Sequence, residues 1–83
     1  MKVLYFAWIR EKAGIAGEDI TPPPEVADVG GLIEWLRERG GGPAEALADL
    51  STVRVAVNQE HVGLDRAVGP DDEIAFFPPV TGG

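Results

Sequence analysis

The residues of this chain that most suggest chemistry are the last two, Gly82 and Gly83. A Gly-Gly end is as thin as bare backbone and lets another backbone or a ligand approach closely. A terminal carboxyl on Gly83 is ionised at neutral pH. A carboxylate is a poor acyl electrophile, so it first needs a better leaving group. We therefore expect this end to be threaded into another protein's site and activated there; the alternative is a frayed terminus without a role.

The segment before Gly82-Gly83 is expected to extend these two residues away from the folded domain. The apolar run at residues 74–77 predicts a buried strand. Pro78 has no backbone N–H to donate, so it should close that strand. The Pro78-Pro79 pair favours the stiff polyproline II form. Residues 78–83 are therefore expected to form an extended tail with a reach of roughly 20 Å, and residues 1–77 the folded domain.

The length and composition of the chain limit the classes of function that it can have. The chain has 83 residues, which predicts one domain. It has no cysteine, which excludes disulfides, thiolate metal sites and a persulfide held on this chain. A formal net charge of −7 disfavours nucleic acid and suits a basic protein partner; the alternative is that acidity only keeps the protein soluble. No apolar run is long enough to span a membrane, so we expect a cytoplasmic location.

The elements that must position the tail follow from apolar spacing. Strands are predicted at residues 2–9, 18–21, 53–57, 61–62 and 73–77. A main helix is predicted between an Asp28 N-cap and a stop at Gly40, because Val29, Leu32, Ile33 and Leu36 have helical spacing. A second, short helix is predicted at residues 43–50, with Pro43 in its first turn.

This order of elements predicts a two-layer α+β domain. We place the first and last strands side by side and parallel at the sheet centre, because they are the most apolar and a helix crossover joins the two halves. The prediction is a β-grasp (ubiquitin-like) fold, with a mixed sheet of four to five strands, one main helix and one short helix.

The chain lacks the groups needed to activate its own carboxylate. The single histidine, His61, has no cysteine to pair with and is expected at the surface. No phosphate-binding loop or dinucleotide fingerprint is present. The acids show no metal-ligand spacing, so we expect neither a metal nor a cofactor on this chain. A partner must supply the activating chemistry.

The closing sequence EIAFFPPVTGG, residues 73–83, resembles that of the MoaD family of ubiquitin-like sulfur carriers, the small subunits of molybdopterin synthase. The opening VLYFA of residues 3–7, the AVNQ of residues 56–59 and the turn at 71–73 are similar to the same family. The resemblance covers essentially the whole chain. The FFPPVTGG ending is its most specific part, whereas residues 22–50 match only in pattern.

The resemblance implies a mechanism. An adenylating enzyme of the ubiquitin-activating type, using ATP and Mg²⁺, would convert the Gly83 carboxylate to an acyl-adenylate. Sulfur from a persulfide donor would then displace AMP and leave a thiocarboxylate on Gly83. The tail would enter the large subunit of molybdopterin synthase and donate sulfur to cyclic pyranopterin monophosphate. This chain would be the sulfur-donating subunit of that sulfurtransferase and not catalytic alone.

The resemblance also implies roles for other residues. Gly83 carries the transferred group, and Val80, Thr81 and Gly82 form the threaded segment. We expect Phe6, Phe77, Pro78 and Pro79 at the partner interface, although packing in the core would account almost equally well for the two phenylalanines. Three alternatives remain open: a sulfur carrier for thiamine synthesis or tRNA thiolation, a ubiquitin-like protein modifier, and a plain binding domain with an idle tail.

Overall fold

Five strands form one mixed sheet in the computed structural model, which describes residues 1–79 of the chain. The strands are β1 (Lys2–Tyr5), β2 (Gly17–Asp19), β3 (Arg54–Val57), β4 (Glu60–Val62) and β5 (Glu73–Phe77). Their order in the sheet is β2-β1-β5-β3-β4. β1 and β5 are parallel, and the other neighbours are antiparallel. The predicted β-grasp fold is therefore confirmed, with its first and last strands adjacent at the centre.

β5 is central because its inward residues supply part of the core. Side chains alternate between the two faces of a strand, so Ile74 and Phe76 point to the helix side and are fully buried. On β1, Val3 and Tyr5 share that face, and the rings of Tyr5 and Phe76 stack with centroids 6.0 Å apart. Full burial of such side chains stabilises the fold by about 1.5–3 kcal/mol each. β5 is thereby held along its whole length.

Within residues 1–79, three α-helices lie on one side of the sheet, where one main and one short helix were predicted: α1 (Ala7–Ala13), α2 (Val29–Arg39) and α3 (Gly41–Ala46). A single 3₁₀ turn follows at Leu50–Thr52. α2 forms as predicted. The Asp28 side chain accepts a hydrogen bond from the Gly31 N–H at 2.7 Å, and the apolar stripe of α2 is buried. α3 is shorter than the predicted helix at residues 43–50, because the chain leaves the helix at Leu47.

Helix α1 was not predicted, because the first strand was expected to extend to Ile9. Apolar residues continue without interruption to Ile9, so alternation alone does not show where the strand ends. The strand stops because Ala7 takes a left-handed backbone, with φ of 53°. Ile9 and Ala13 then lie one helical turn apart and are both buried. Gly14, with φ of 80°, ends the helix, and its N–H donates to the Arg10 carbonyl.

None of the helices in the described part of the chain has the length and apolar character needed to cross a membrane.

Candidate functional site

The predicted tail begins where the central strand ends. β5 stops at Phe77, and Pro78 and Pro79 follow it, both half-buried. Phe77 pairs with Arg54 on β3, and on the other side the Phe6 N–H donates to the Phe76 carbonyl at 3.0 Å. The start of the tail is therefore held from both sides. Val80, Thr81, Gly82 and Gly83, to which we assigned threading and chemistry, lie outside the described residues.

Beside this point, the face of the sheet that carries no helix holds a shallow groove of about 500 Å³. We call it the sheet-face groove, and it is lined by Leu4, Phe6, Ala56, Gln59, His61, Glu73, Ala75 and Phe77. The structure thus brings the two predicted interface phenylalanines to one surface. Phe6 is 47% exposed, so it is a surface residue and not part of the core. The docking role of Phe6 and Phe77 stays a prediction.

His61 lies on the same face, as an exposed side chain of β4. Its ring is tilted against that of Phe77, with the centroids 5.1 Å apart. The contact covers part of Phe77 and leaves the imidazole facing solvent. No nucleophilic side chain is paired with His61 among residues 1–79. Its position agrees with the surface placement expected from the sequence.

A polar cluster that the sequence pattern did not predict lies at the other edge of the sheet. The Tyr5 hydroxyl donates to Glu18 at 2.9 Å, and Arg39 binds both Glu18 oxygens at 2.8 and 3.0 Å. The Arg39 guanidinium also lies over the Trp35 ring, 5.0 Å from its centroid. Burial, together with the Glu18 carboxylate, raises the pKa of Tyr5 well above its ordinary value. Tyr5 therefore remains a neutral donor, and the cluster joins β1, β2 and α2.

A second set of hydrogen bonds fixes the turn between β3 and β4 to the start of β5. The Asn58 side chain donates to Asp72 at 2.8 Å and accepts from the Glu73 N–H at 3.0 Å. The Asn58 N–H donates to the Glu73 carbonyl at 2.8 Å. The other Asp72 oxygen accepts from the Gly69 N–H at 2.8 Å. This arrangement holds the polar end of the sheet-face groove in place.

These contacts give Asp72 a role in stability that depends on pH. Hydrogen bonds from Asn58 and then from Gly69 hold the pKa of the Asp72 carboxyl below its ordinary value. Because the folded state favours the ionised form, the stabilisation is present above about pH 4 and is lost as the pH falls through the lowered pKa. We expect Asp72→Ala to lower the free energy of unfolding at pH 7 by less than about 1 kcal/mol, because the carboxyl lies near the surface. The difference from the unsubstituted chain should shrink by pH 2.

Urea titrations at pH 7 and pH 2 would measure this difference. The matched control is Asp71→Ala, because Asp71 is exposed and makes no side-chain hydrogen bond within residues 1–79. A difference for Asp72→Ala that stayed constant between the two pH values would contradict the assignment to the ionised carboxylate.

The described residues contain no group of three or more His, Cys, Asp or Glu side chains arranged to hold a metal ion. They offer the sheet-face groove, an apolar surface rimmed by Gln59, His61 and Glu73, at the foot of the tail. Such a surface can bind a protein partner.

Comparison with known proteins shows what this arrangement is similar to. The model of the ThiS family matches residues 3–83. Proteins named "Molybdopterin synthase sulfur carrier subunit" from Haemophilus influenzae and Escherichia coli are each 41% identical to it, over 100% of this chain and 99% of theirs. The crystal structure of SAMP1, the small archaeal modifier protein 1 of Haloferax volcanii, matches with a TM-score of 0.75 and 29% identity, over 100% of this chain and 98% of that one. The resemblance drawn from the sequence is confirmed.

Proposed function

The chain belongs to the ThiS family, and on that premise we propose that it is the sulfur carrier subunit of a molybdopterin synthase. The observation that carries the proposal is the end-to-end match to subunits of that name. The geometry supports it, because the central strand β5 leads directly into the segment that ends in Gly82-Gly83. In this proposal, residues 1–77 are the body that a partner recognises and residues 78–83 are the tail that it receives.

The chemistry proposed for the tail takes place on Gly83. An adenylating partner, using ATP and Mg²⁺, joins the Gly83 carboxylate to AMP and so creates a good leaving group. The outer sulfur of a persulfide held by a donor protein attacks the acyl-adenylate and displaces AMP. A second thiol then cleaves the resulting acyl disulfide, which leaves a thiocarboxylate on Gly83 and a disulfide between the two thiols. This chain has no cysteine, so the persulfide must be held by another protein. The thiocarboxylate then donates its sulfur to cyclic pyranopterin monophosphate inside the large subunit.

The body contributes recognition in this scheme. The sheet-face groove adjoins the start of the tail, so a large subunit that receives the tail comes to lie against it. Its apolar centre includes Phe6 and Phe77, and such residues stabilise interfaces most when they are buried at the middle of the contact. Pro78 and Pro79 restrict the backbone between groove and tail, which reduces the entropy lost on threading.

Intact-mass spectrometry tests the proposal. The purified chain, incubated with the adenylating enzyme, ATP, Mg²⁺ and a persulfide donor, should gain the mass of one sulfur replacing one oxygen, and fragmentation should place that sulfur on Gly83. The modified chain, mixed with the large subunit and cyclic pyranopterin monophosphate, should form molybdopterin and lose the added mass. The same mixture without ATP is the control. No gain of sulfur at Gly83 would reject the proposal.

A second candidate function is protein modification, favoured by the structural similarity to the small archaeal modifier protein 1 of Haloferax volcanii. A modifier would be joined through Gly83 to lysines of other proteins. Digestion and mass spectrometry of cell extracts would reveal such isopeptide adducts. Adducts without molybdopterin formation would favour this candidate over the first.

A further inference from the structure

The turn between β3 and β4 contains a strained residue. Asn58 and Gln59 are its two central residues, and both have positive φ, 51° and 70°. This combination is typical of the type I′ turn, for which Asn-Gly is the favoured pair. Asparagine tolerates the left-handed region, but a residue such as glutamine is strained there. Glycine at position 59 would remove that strain.

Nothing within the described chain compensates for the strain at Gln59. The neighbouring Asn58 uses its backbone N–H and its side chain in three hydrogen bonds to Asp72 and Glu73. The Gln59 side chain makes no hydrogen bond to any of residues 1–79, and it is exposed. Residues held in an unfavourable backbone conformation are found chiefly at functional sites. We therefore expect Gln59 to have a role other than stabilising the folded domain.

The position of Gln59 indicates what that role is. Its side chain lines the sheet-face groove, at the end opposite Phe6 across β5 and β3. A carboxamide both donates and accepts hydrogen bonds, as a main-chain peptide group does. The Glu73 carboxylate lines the same groove, so it disfavours an anionic group there. The groove thus suits an apolar surface that exposes a neutral peptide group at its edge.

We propose that Gln59 is a specificity-determining residue of the sheet-face groove, whose carboxamide hydrogen-bonds an exposed main-chain peptide group of the large subunit. This inference rests on the proposed function and deepens it. The hydrogen bonds of Asn58 to Asp72 and Glu73 hold the turn in place, and the Gln59 side chain lines the groove beside it. The chain gives up some stability for a contact that forms only in the complex.

The test combines two measurements that should move in opposite directions. Gln59→Gly removes both strain and carboxamide. Its melting temperature should rise by about 2–5 °C. Its affinity for the purified large subunit, measured by titration calorimetry, should fall by about three- to tenfold, the contribution of one hydrogen bond. A residue with a purely structural role would alter the melting temperature and leave the affinity unchanged.

Gln59→Glu is the matched control, because it keeps the length and the strain of the side chain but replaces its donors with a charge. Its melting temperature should not rise, because the strain remains and Glu73 lines the same groove, and it should bind at least threefold more weakly through loss of the donor. If Gln59→Gly and Gln59→Glu both bind as tightly as the unsubstituted chain, the role of Gln59 is overturned. If the unsubstituted chain itself does not bind the large subunit, the proposed function is overturned instead.

Discussion

Removing Gly82 and Gly83 is expected to reduce sulfur transfer to the background level while changing the melting temperature by less than about 1 °C. The reason is the division between body and tail in the proposed function. The core is built from residues 3–76, whereas the acyl group to be activated is on Gly83. Thiocarboxylation should be followed by intact mass, and molybdopterin formation with the large subunit. Melting should be recorded on the same sample.

A finer variant keeps both glycines and adds one alanine after Gly83. It preserves the composition of the tail but moves the terminal carboxylate by one residue, which is about 3.5 Å. We expect this variant to fail in sulfur transfer as well, because a reacting carboxyl must be held within a few tenths of an ångström of its productive position. Sulfur transfer by either variant at the rate of the unsubstituted chain would contradict the assignment of Gly83.

Gly42→Ala is expected to have the largest effect on stability, a loss of about 3 kcal/mol or more. α1 and α3 approach each other closely at Gly42, where an added Cβ would overlap the Ala13 carbonyl oxygen and lie 2.6 Å from its carbon. These are backbone atoms, so the contact can be relieved only by moving one helix away from the other. The separation would open the buried surface of Ile9 and Leu47 to water. Urea unfolding followed by far-UV circular dichroism would measure the loss.

The matched control is Gly41→Ala, one residue earlier in the same helix. An added Cβ at Gly41 meets nothing within 4 Å, but its φ is +81°. We therefore expect a loss of about 1 kcal/mol from backbone strain alone. Equal losses for the two variants would contradict the close approach as the cause. A loss for Gly42→Ala well above that for Gly41→Ala would support it.

The sequence was sufficient for the features that depend on short-range chemistry. The Asp28 cap, the stripe of α2 and the limits of β5 were predicted and observed, because each follows from neighbouring residues. The parallel pairing of β1 with β5 was also predicted, since the two most apolar strands have the most to gain from burial on the same face.

Other features could not be predicted from local patterns in the sequence. The start of α1 follows from one left-handed residue, Ala7, within an apolar run that alternation reads as strand. The close approach of Gly42 to Ala13 requires two helices to be packed before it exists. The cluster of Tyr5, Glu18 and Arg39 joins residues 13 and 21 positions apart.

The amino-acid sequence by itself determined the fold class and the family, because local periodicity and the closing motif of residues 73–83 are sufficient for these. Only the tertiary structure decided that Phe6 is a surface residue, that it shares one groove with Phe77, and that Gln59 stands strained at the rim of that groove. The physical reason is that the exposure of a side chain and the strain of a backbone turn depend on how the whole chain packs. A side chain's neighbours across the sheet are set by strand register, which no single stretch of sequence specifies.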